Sequence, residues 1–479
     1  MLFNSFEFLV FFSILVVLYF SIAQRFRWML LLGASYYFYM SWKPEYVLLI
    51  LFTSLVSYYC GIWMHNAKTL KRRKHFLWLS LAINLGVLFF FKYFNFVNDG
   101  VREVLQSFSL HYSFEGLDIL LPIGISFYTF QTVGYNLDVF YQVRKPEKHF
   151  GIFALFVSFF PQLIAGPIER STVLLPQFKK KHHFNLERIQ HGLKYIIWGL
   201  FKKLVIADRL VPIIGEAYGN LGDYSGSTLW FATFLYAIQL YADFSAYSEI
   251  AKGLAKILGY DLMENFDHPF KSKNITEFWR RWHISLSTWF RDYLYIPLGG
   301  SRGTNYFKIR NVFIIFLVSG FWHGSNWTFI VWGGLNALYF LPIMLLNKNK
   351  INTDVVAQGK YLPSVREVLS MTITFSLTTI AWIFFRAENI HHAISYLSNI
   401  IHPSILTFPE LITPKLEMIY TLLCIFILLL FEWMNREKIH ALDIANYNKS
   451  NRWMLYLIII IMIITFGAFN HNSFIYFQF

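Results

Sequence analysis

Long apolar runs separated by short polar breaks dominate the chain. Most of them approach the ~20 residues that a helix needs to cross a hydrocarbon core of ~30 Å. The pattern predicts spans over residues 5–23, 28–41, 46–64, 76–96 and 119–142, then 191–213 and 228–247, and finally 367–386, 416–434 and 453–470. Residues 311–346 are nearly all apolar, too many for one upright span and few for two full ones. They predict either two passes or a pair of half-helices bent near Gly320, Gly324 and Asn326. No soluble fold could bury so many runs, so the expected class is an all-α polytopic membrane protein with about 11 transmembrane helices. The absence of any sequence repeat, heptad pattern or low-complexity linker points to a single membrane domain over 1–479.

The polar breaks alternate in charge. QRFR (24–27) and the run from Lys68 to Lys74 are basic, which places them in the cytoplasm, whereas WKPE (42–45) and the loop 97–118 fall outside. Both termini are then extracytoplasmic. The alternation breaks at 150–166 (FGIFALFVSFFPQLIAG), because the stretch from Arg170 to Lys181 that follows is basic again. This apolar segment is short and is interrupted by Pro161 and Gly166, so it predicts a re-entrant element beside a cavity, where irregular backbone is tolerated at membrane depth.

Composition agrees with this picture. Hydrophobic residues make up 56% of 479, aromatic residues 20% and charged residues 15%, against about one-quarter charged in an ordinary globular domain. The net charge of +14 lies mostly in the breaks between spans, where lipid head groups account for it without nucleic acid. The first run has no basic stretch before it and no small-residue cleavage site after it, and reads as a retained span. Cys60 and Cys424 both sit in apolar runs and supply neither a disulfide framework nor a metal site. No phosphate-binding loop of the GxxxxGK[ST] type occurs, nor an HExxH helix or a GxSxG elbow. An ATP-driven pump, a zinc protease and a hydrolase of that fold are disfavoured, while a proton-coupled carrier stays open.

Candidate chemistry concentrates in a cytoplasmic or interfacial segment, 248–310, and in the core segment 311–346 that it leads to. Residues 275–296 mix Trp, Tyr and Phe with Arg and His at helical spacing; Asn274 and Glu277 suggest a capping box, and such a helix would lie in the interface. His323 is preceded by NVFIIFLVSGFW and followed by GSNWTFIVWGG, both without charge. An intramembrane ionisable residue marks a site, although a histidine bonded across helices is an equally good structural reading. A neutral imidazole there would have the acid–base range that general-base catalysis needs. His283 also follows a tryptophan, and on the residues alone a place on a helix surface among interfacial aromatics is favoured. Arg280, Arg281, Arg291 and Arg302 could bind phosphates of a soluble ligand or of lipid. Asp138, Asp243 and Glu249 fit buried pairing at least as well as catalysis, and Lys92 can snorkel to the interface.

Long strings of the chain resemble the membrane-bound O-acyltransferases, in particular their bacterial polysaccharide and peptidoglycan O-acetylating branch. These are LPIGISFYTFQTVGYNLDVF (121–140), FFPQLIAGPIERSTVLLPQ (159–177), QLYADFSAYSEIAKGLAKILGYDLMENFDHPF (239–270), FWRRWHISLSTWFRDYLYIPLGGSR (278–302) and VSGFWHGSNWTFIVWGGLNALYF (318–340). The resemblance implies a funnel of tilted helices with re-entrant and interfacial elements in a bacterial cytoplasmic membrane. It implies acetyl transfer from cytoplasmic acetyl-CoA to an extracytoplasmic polysaccharide, completed by a partner protein. His323 in FWHG matches the family's embedded histidine, and His283 its second position; a base or a nucleophile role both remain open for His323. Arg280, Arg281, Arg291, Trp282, Trp322 and Asn326 become the donor-binding candidates, with no metal. D-alanyl transfer to teichoic acid is a second reading, since the RWH-x-SLS-x-WFRDY string is similar there. A transporter or export channel using the same polar residues is a third.

Overall fold

A computed structural model describes residues 1–346, 355–410, 412–438, 440–444, 447–469 and 474, and every regular element among them is helical. The chain divides into two compact units, one formed by Met1–Leu193 with Ala251–Met263 and the other by Lys194–Ile250 with Glu264–Phe479.

In the first unit, α1 (Phe6–Ser21), α2 (Gln24–Met40), α3 (Val47–Asn66) and α4 (Leu70–Lys92) follow the predicted spans closely. Residues 97–118, expected as a loop, contain most of α5 (Phe94–Ser107), an amphipathic helix without the uniformly apolar run that marks a span. Next come α6 (Ile125–Phe140), α7 (Phe150–Ser158), α8 (Phe160–Leu163) and α9 (Ser171–Phe178). α7 has nine residues and therefore rises roughly 13 Å, less than half of a hydrocarbon core. The chain leaves the helix at Phe159, and the Gln131 and Gln162 amides both donate to the Phe156 carbonyl, at 2.7 and 3.0 Å.

α10 (Leu186–Leu200) leads into a π-helical stretch, Phe201–Ala207, and then α11 (Asp208–Gly219). The helix predicted to end at 247 continues as α12 (Gly226–Leu258), 33 residues long. In the second unit its carboxylates are paired rather than exposed: Asp243 meets Lys203 at 2.7 Å and Glu249 meets Lys202 at 2.8 Å. The residues read as one interfacial helix over 275–296 are two short helices, α13 (Ile275–Arg281) and α14 (Ile284–Phe290), followed by a π-helical turn, Arg291–Tyr295. Asn274 does cap α13, accepting from the Glu277 amide at 2.9 Å. Ile275, Phe278, Trp282, Leu286 and Phe290 are buried, so the pair packs into the unit instead of lying on its surface.

The apolar stretch 311–346 resolves into two helices of 19 residues each, α15 (Asn305–His323) and α16 (Trp327–Leu345). It looked too short for two because α15 begins at Asn305, within the polar segment. The remaining helices are α17 (Val365–Arg386), α18 (Ile390–Ile401), α19 (Lys415–Met434) and α20 (Lys449–Phe466). The basic flank expected after 346 and the C-terminal residues 470–473 and 475–479 lie outside the described residues. Among the described residues six helices are long and apolar enough to cross a membrane: α3 with the turn before it (Pro44–Asn66), α4, α16, α17, α19 and α20.

α15 and α16 cross at two glycines. A Cβ on Gly320 would lie 2.2 Å from the Phe329 carbonyl oxygen, and one on Gly333 would lie 2.3 Å from that of Phe316. Backbone occupies the space a side chain would need, the close approach that small residues permit between membrane helices. Gly333→Val should therefore lower the thermal unfolding midpoint in detergent, by the equivalent of about 1–3 kcal/mol of overpacking. Gly334→Ala, whose added carbon would meet only Leu317 Cδ2 at 3.9 Å, should leave the midpoint unchanged. Equal midpoints for the two variants would refute this account of the crossing.

Candidate active site

His323 is the last residue of α15 and His283 the residue immediately before α14, so both imidazoles are presented at helix ends. They are 4% and 1% exposed, and their ring centroids lie 6.4 Å apart. An aromatic wall surrounds them. Trp322 is 6.0 Å from His283 and 4.9 Å from His323. Trp332 and Phe385 stand edge-on to His323 at 5.0 and 5.2 Å, and Phe244 meets His283 at 4.6 Å. Around His283 such surroundings disfavour the charged form of the imidazole. For His283, outside the candidate spans, burial pushes the pKa down to about 3. A neutral imidazole offers one N–H donor and one acceptor nitrogen, the form a proton-abstracting group requires.

The local fold that aims His283 is unusual. Its backbone is left-handed (φ 43°, ψ 55°), a conformation that costs a non-glycine residue roughly 1–2 kcal/mol. The cost is met by residues 265–267, which run beside the kink: the Ile284 amide donates to the Asn265 carbonyl and the Asp267 amide to the Arg281 carbonyl, each at 2.9 Å. The Asn265 side chain locks the joint from the other side. Its oxygen accepts from the Ser285 hydroxyl at 2.9 Å, and its nitrogen donates to the Ser248 hydroxyl at 3.1 Å. Strain held by surrounding structure in this way is characteristic of functional sites.

The remaining candidates divide by position. Arg280, Lys308 and Arg291, the last paired with Asp292 at 2.8 Å, line a cavity of about 610 Å³ in the second unit, and no acidic residue is among the lining residues described. Its wall includes Ser319, one helical turn before His323, and Trp279, whose ring is 5.7 Å from that of Trp332. Neither histidine is a lining residue; the Trp279–Trp332 contact connects the cavity wall to His323. Arg281 is turned elsewhere, paired with Glu277 at 3.1 Å and Asp267 at 2.9 Å, so its charge braces the joint at His283. Trp282 packs into an aromatic cluster, with Phe266 and Trp382 both at 5.0 Å. Asn326 caps α16 by accepting from the Thr328 amide at 3.0 Å, and donates to the Glu388 carbonyl at 2.7 Å. Arg302 is exposed. Sequence reading missed Asn265 and Lys308. Asn265 carries no signal in an ordinary loop string until its partners 20 residues on are seen, and Lys308 looked like one more cytoplasmic charge. Among the described residues no group of His, Cys, Asp or Glu is placed to hold a metal ion.

The model of the membrane-bound O-acyltransferase family matches residues 37–382, a stretch holding both histidines and all three cavity cations. The chain belongs to this family. Members of it are acyltransferases, multi-pass in the membrane and generally supplied by acyl-CoA donors. The chain is similar to the probable alginate O-acetylase of Pseudomonas aeruginosa, 40% identical over 82% of this chain and 73% of the relative. It is also similar to the peptidoglycan O-acetyltransferase of Helicobacter pylori, 35% identical over 78% of this chain and 73% of the relative. With the teichoic acid D-alanyltransferase of Streptococcus thermophilus it shares 32% identity over 55% of this chain and 68% of the relative.

Asn265→Ala should destabilise this O-acyltransferase by on the order of 1–3 kcal/mol, because it strips partners from two buried hydroxyls. Differential scanning fluorimetry of the purified protein, run beside an acyl-transfer assay, should show both a lower midpoint and slower turnover. A variant with unchanged midpoint and rate would show that the kink at His283 holds without this side chain.

Proposed function

We propose that the protein takes acetyl from cytoplasmic acetyl-CoA and passes it across the membrane for O-acetylation of an extracytoplasmic polysaccharide, an alginate-like exopolysaccharide or peptidoglycan. The observation that carries this reading is the pair of buried histidines set one aromatic layer from a cavity with three cationic lining residues. Arg280, Arg291 and Lys308 suit the phosphates of the donor, and the cavity's aromatic and aliphatic walls suit its thioester arm. The two similar O-acetylating relatives support the acetyl group and a carbohydrate acceptor.

His323 acts on the acceptor hydroxyl. Its acceptor nitrogen takes the hydroxyl proton as the oxygen attacks the thioester carbonyl, the C–S bond breaks, and CoA leaves as the thiol once the sulfur has gained a proton. In the covalent variant the same nitrogen attacks first and an acetyl-histidine passes the group on, releasing CoA before any acceptor arrives. His283 stands near it, held by its joint, and Trp322 lies beside both rings as part of the wall. In this reading the two units serve one catalytic domain, which the family match extending over parts of both supports. About eleven helices cross a bacterial cytoplasmic membrane, with 150–166 as a re-entrant element and both termini outside. A secreted or membrane-tethered partner completes transfer to the polymer.

Purified protein given labelled acetyl-CoA should release CoA, and a transporter would leave the thioester intact. His323→Ala should abolish transfer while the protein still inserts and accumulates; normal polymer acetylation by that variant would sink the assignment. Arg280→Gln combined with Arg291→Gln should raise the donor KM about tenfold or more with a smaller change in kcat, as loss of charge-assisted contacts predicts. A burst of CoA without acceptor would select the covalent route. D-alanine incorporation from a carrier-protein thioester, with acetyl-CoA untouched, would transfer the reading to teichoic acid.

A further inference from the structure

The first unit contains a second cavity that acyl transfer does not use. It measures about 590 Å³ and is lined by His65, Arg73, Gln142, Arg144 and Lys145 among others, with no acidic residue. Three elements converge to form it: the last turn of α3, the first turns of α4, and the turn after α6.

Carbonyl groups hold the two arginines, and Arg144 also feels the Glu147 and Asp138 carboxylates behind the wall. Arg73 donates to the Phe140 carbonyl at the end of α6, and its buried Nε has no hydrogen-bond partner among the described residues. Arg144 donates to the Ser171 and Lys145 carbonyls. Neither nearby carboxylate lines the space: Glu147 is taken by Lys179 at 2.7 Å and by the Lys148 and His149 amides, and Asp138 accepts from the Ser171 hydroxyl at 2.7 Å. Gln142 turns the chain here with φ 62°, a left-handed backbone that side chains rarely adopt. Arg73, Arg144 and Lys145 thus line one space in which no carboxylate is a lining residue, the charge of Arg144 being only partly balanced from behind, and an anion would stabilise them.

The surroundings indicate which anion. α3 and α4 are both candidate spans, and Tyr59 and Trp63 on the last turns of α3 are 47% and 45% exposed. Their rings stack at 5.8 Å, and Trp63 meets Phe76 of α4 at 5.5 Å. Exposed Trp and Tyr at the end of a span mark the level of the lipid head groups. His65 follows Trp63 by two residues, so the cavity opens at that level. We propose that it is a binding site for the phosphate of an anionic phospholipid head group. Basic pockets between membrane helices hold such head groups elsewhere.

Native mass spectrometry of the full-length protein in mild detergent, titrated with cardiolipin, phosphatidylglycerol or phosphatidylethanolamine, tests this. The wild type should retain the anionic lipids to higher collision energy than the zwitterionic one. Lys145→Gln should cut that retention at least threefold with an unchanged size-exclusion profile, and Arg73→Gln should act in the same direction. The double variant Lys71→Gln/Lys74→Gln, two exposed cations of α4 that do not line the cavity, should match the wild type. The proposal fails if the lining variants retain lipid as the wild type does, or if the control pair loses as much, which would indicate diffuse surface charge. It fails also if inorganic phosphate displaces the bound lipid at millimolar concentration, which would mark a site for a free anion.

Discussion

An amide or carbonyl left unpaired in hydrocarbon has no water to turn to, so every interruption of a membrane helix must be closed from within the protein. Side-chain amides do this repeatedly here. Gln131 and Gln162 serve the carbonyl freed where α7 stops, Asn326 caps α16, and Asn265 closes the left-handed joint at His283. Asn311 reaches back from α15 to the Leu298 and Gly300 carbonyls, at 3.2 and 3.0 Å. Each break so closed changes the direction of the chain at a defined residue. Two of them set the ends of helices next to the histidines, so the candidate site is a product of how the backbone is satisfied.

Buried charge is handled by the same economy of partners. The π-helical stretch Phe201–Ala207 carries consecutive lysines, and both find oxygen ligands within the second unit. Lys202 meets Glu249 and the Ser245 hydroxyl, each at 2.8 Å, while Lys203 bridges Asp208 at 2.9 Å and Asp243 at 2.7 Å. An ion pair of this kind adds little net stability over an apolar substitute, yet removing one member typically costs 3–5 kcal/mol because the other is stranded. The network fixes the register of the π-helical stretch against α12 more than it deepens the fold's stability.

What could be read from the amino-acid order alone was whatever depends on neighbours in the chain. Apolar run length located most of the spans, and uninterrupted apolar flanks singled out His323. Charge and proline placement isolated 150–166, whose helix α7 is indeed too short to cross. What escaped depends on distant partners. The smooth aromatic and basic pattern of 275–296 looks like one helix, because nothing local announces that Asn265 will hold a left-handed turn in its middle. Lys202 and Lys203 read as part of an ordinary span, since of their carboxylates only Asp208 is close in the chain, and Asp243, like Glu249, lies about 40 residues or more further on. Arg281 and Asn326 are donor-binding candidates through the family resemblance, and geometry adds that one is engaged in bracing and the other in capping.

The crossing of α15 and α16 has a mechanical corollary. Where two backbones touch through glycine, no rotamer can change and no side chain can slide, so the hairpin has no slack at the level of His323. The joint carrying His283 is of another kind, a backbone in a sparsely populated conformation restrained by a few hydrogen bonds from one neighbouring segment. The two imidazoles thus sit on mounts of unequal stiffness. One is fixed by packed backbone, the other by hydrogen bonds that can be exchanged.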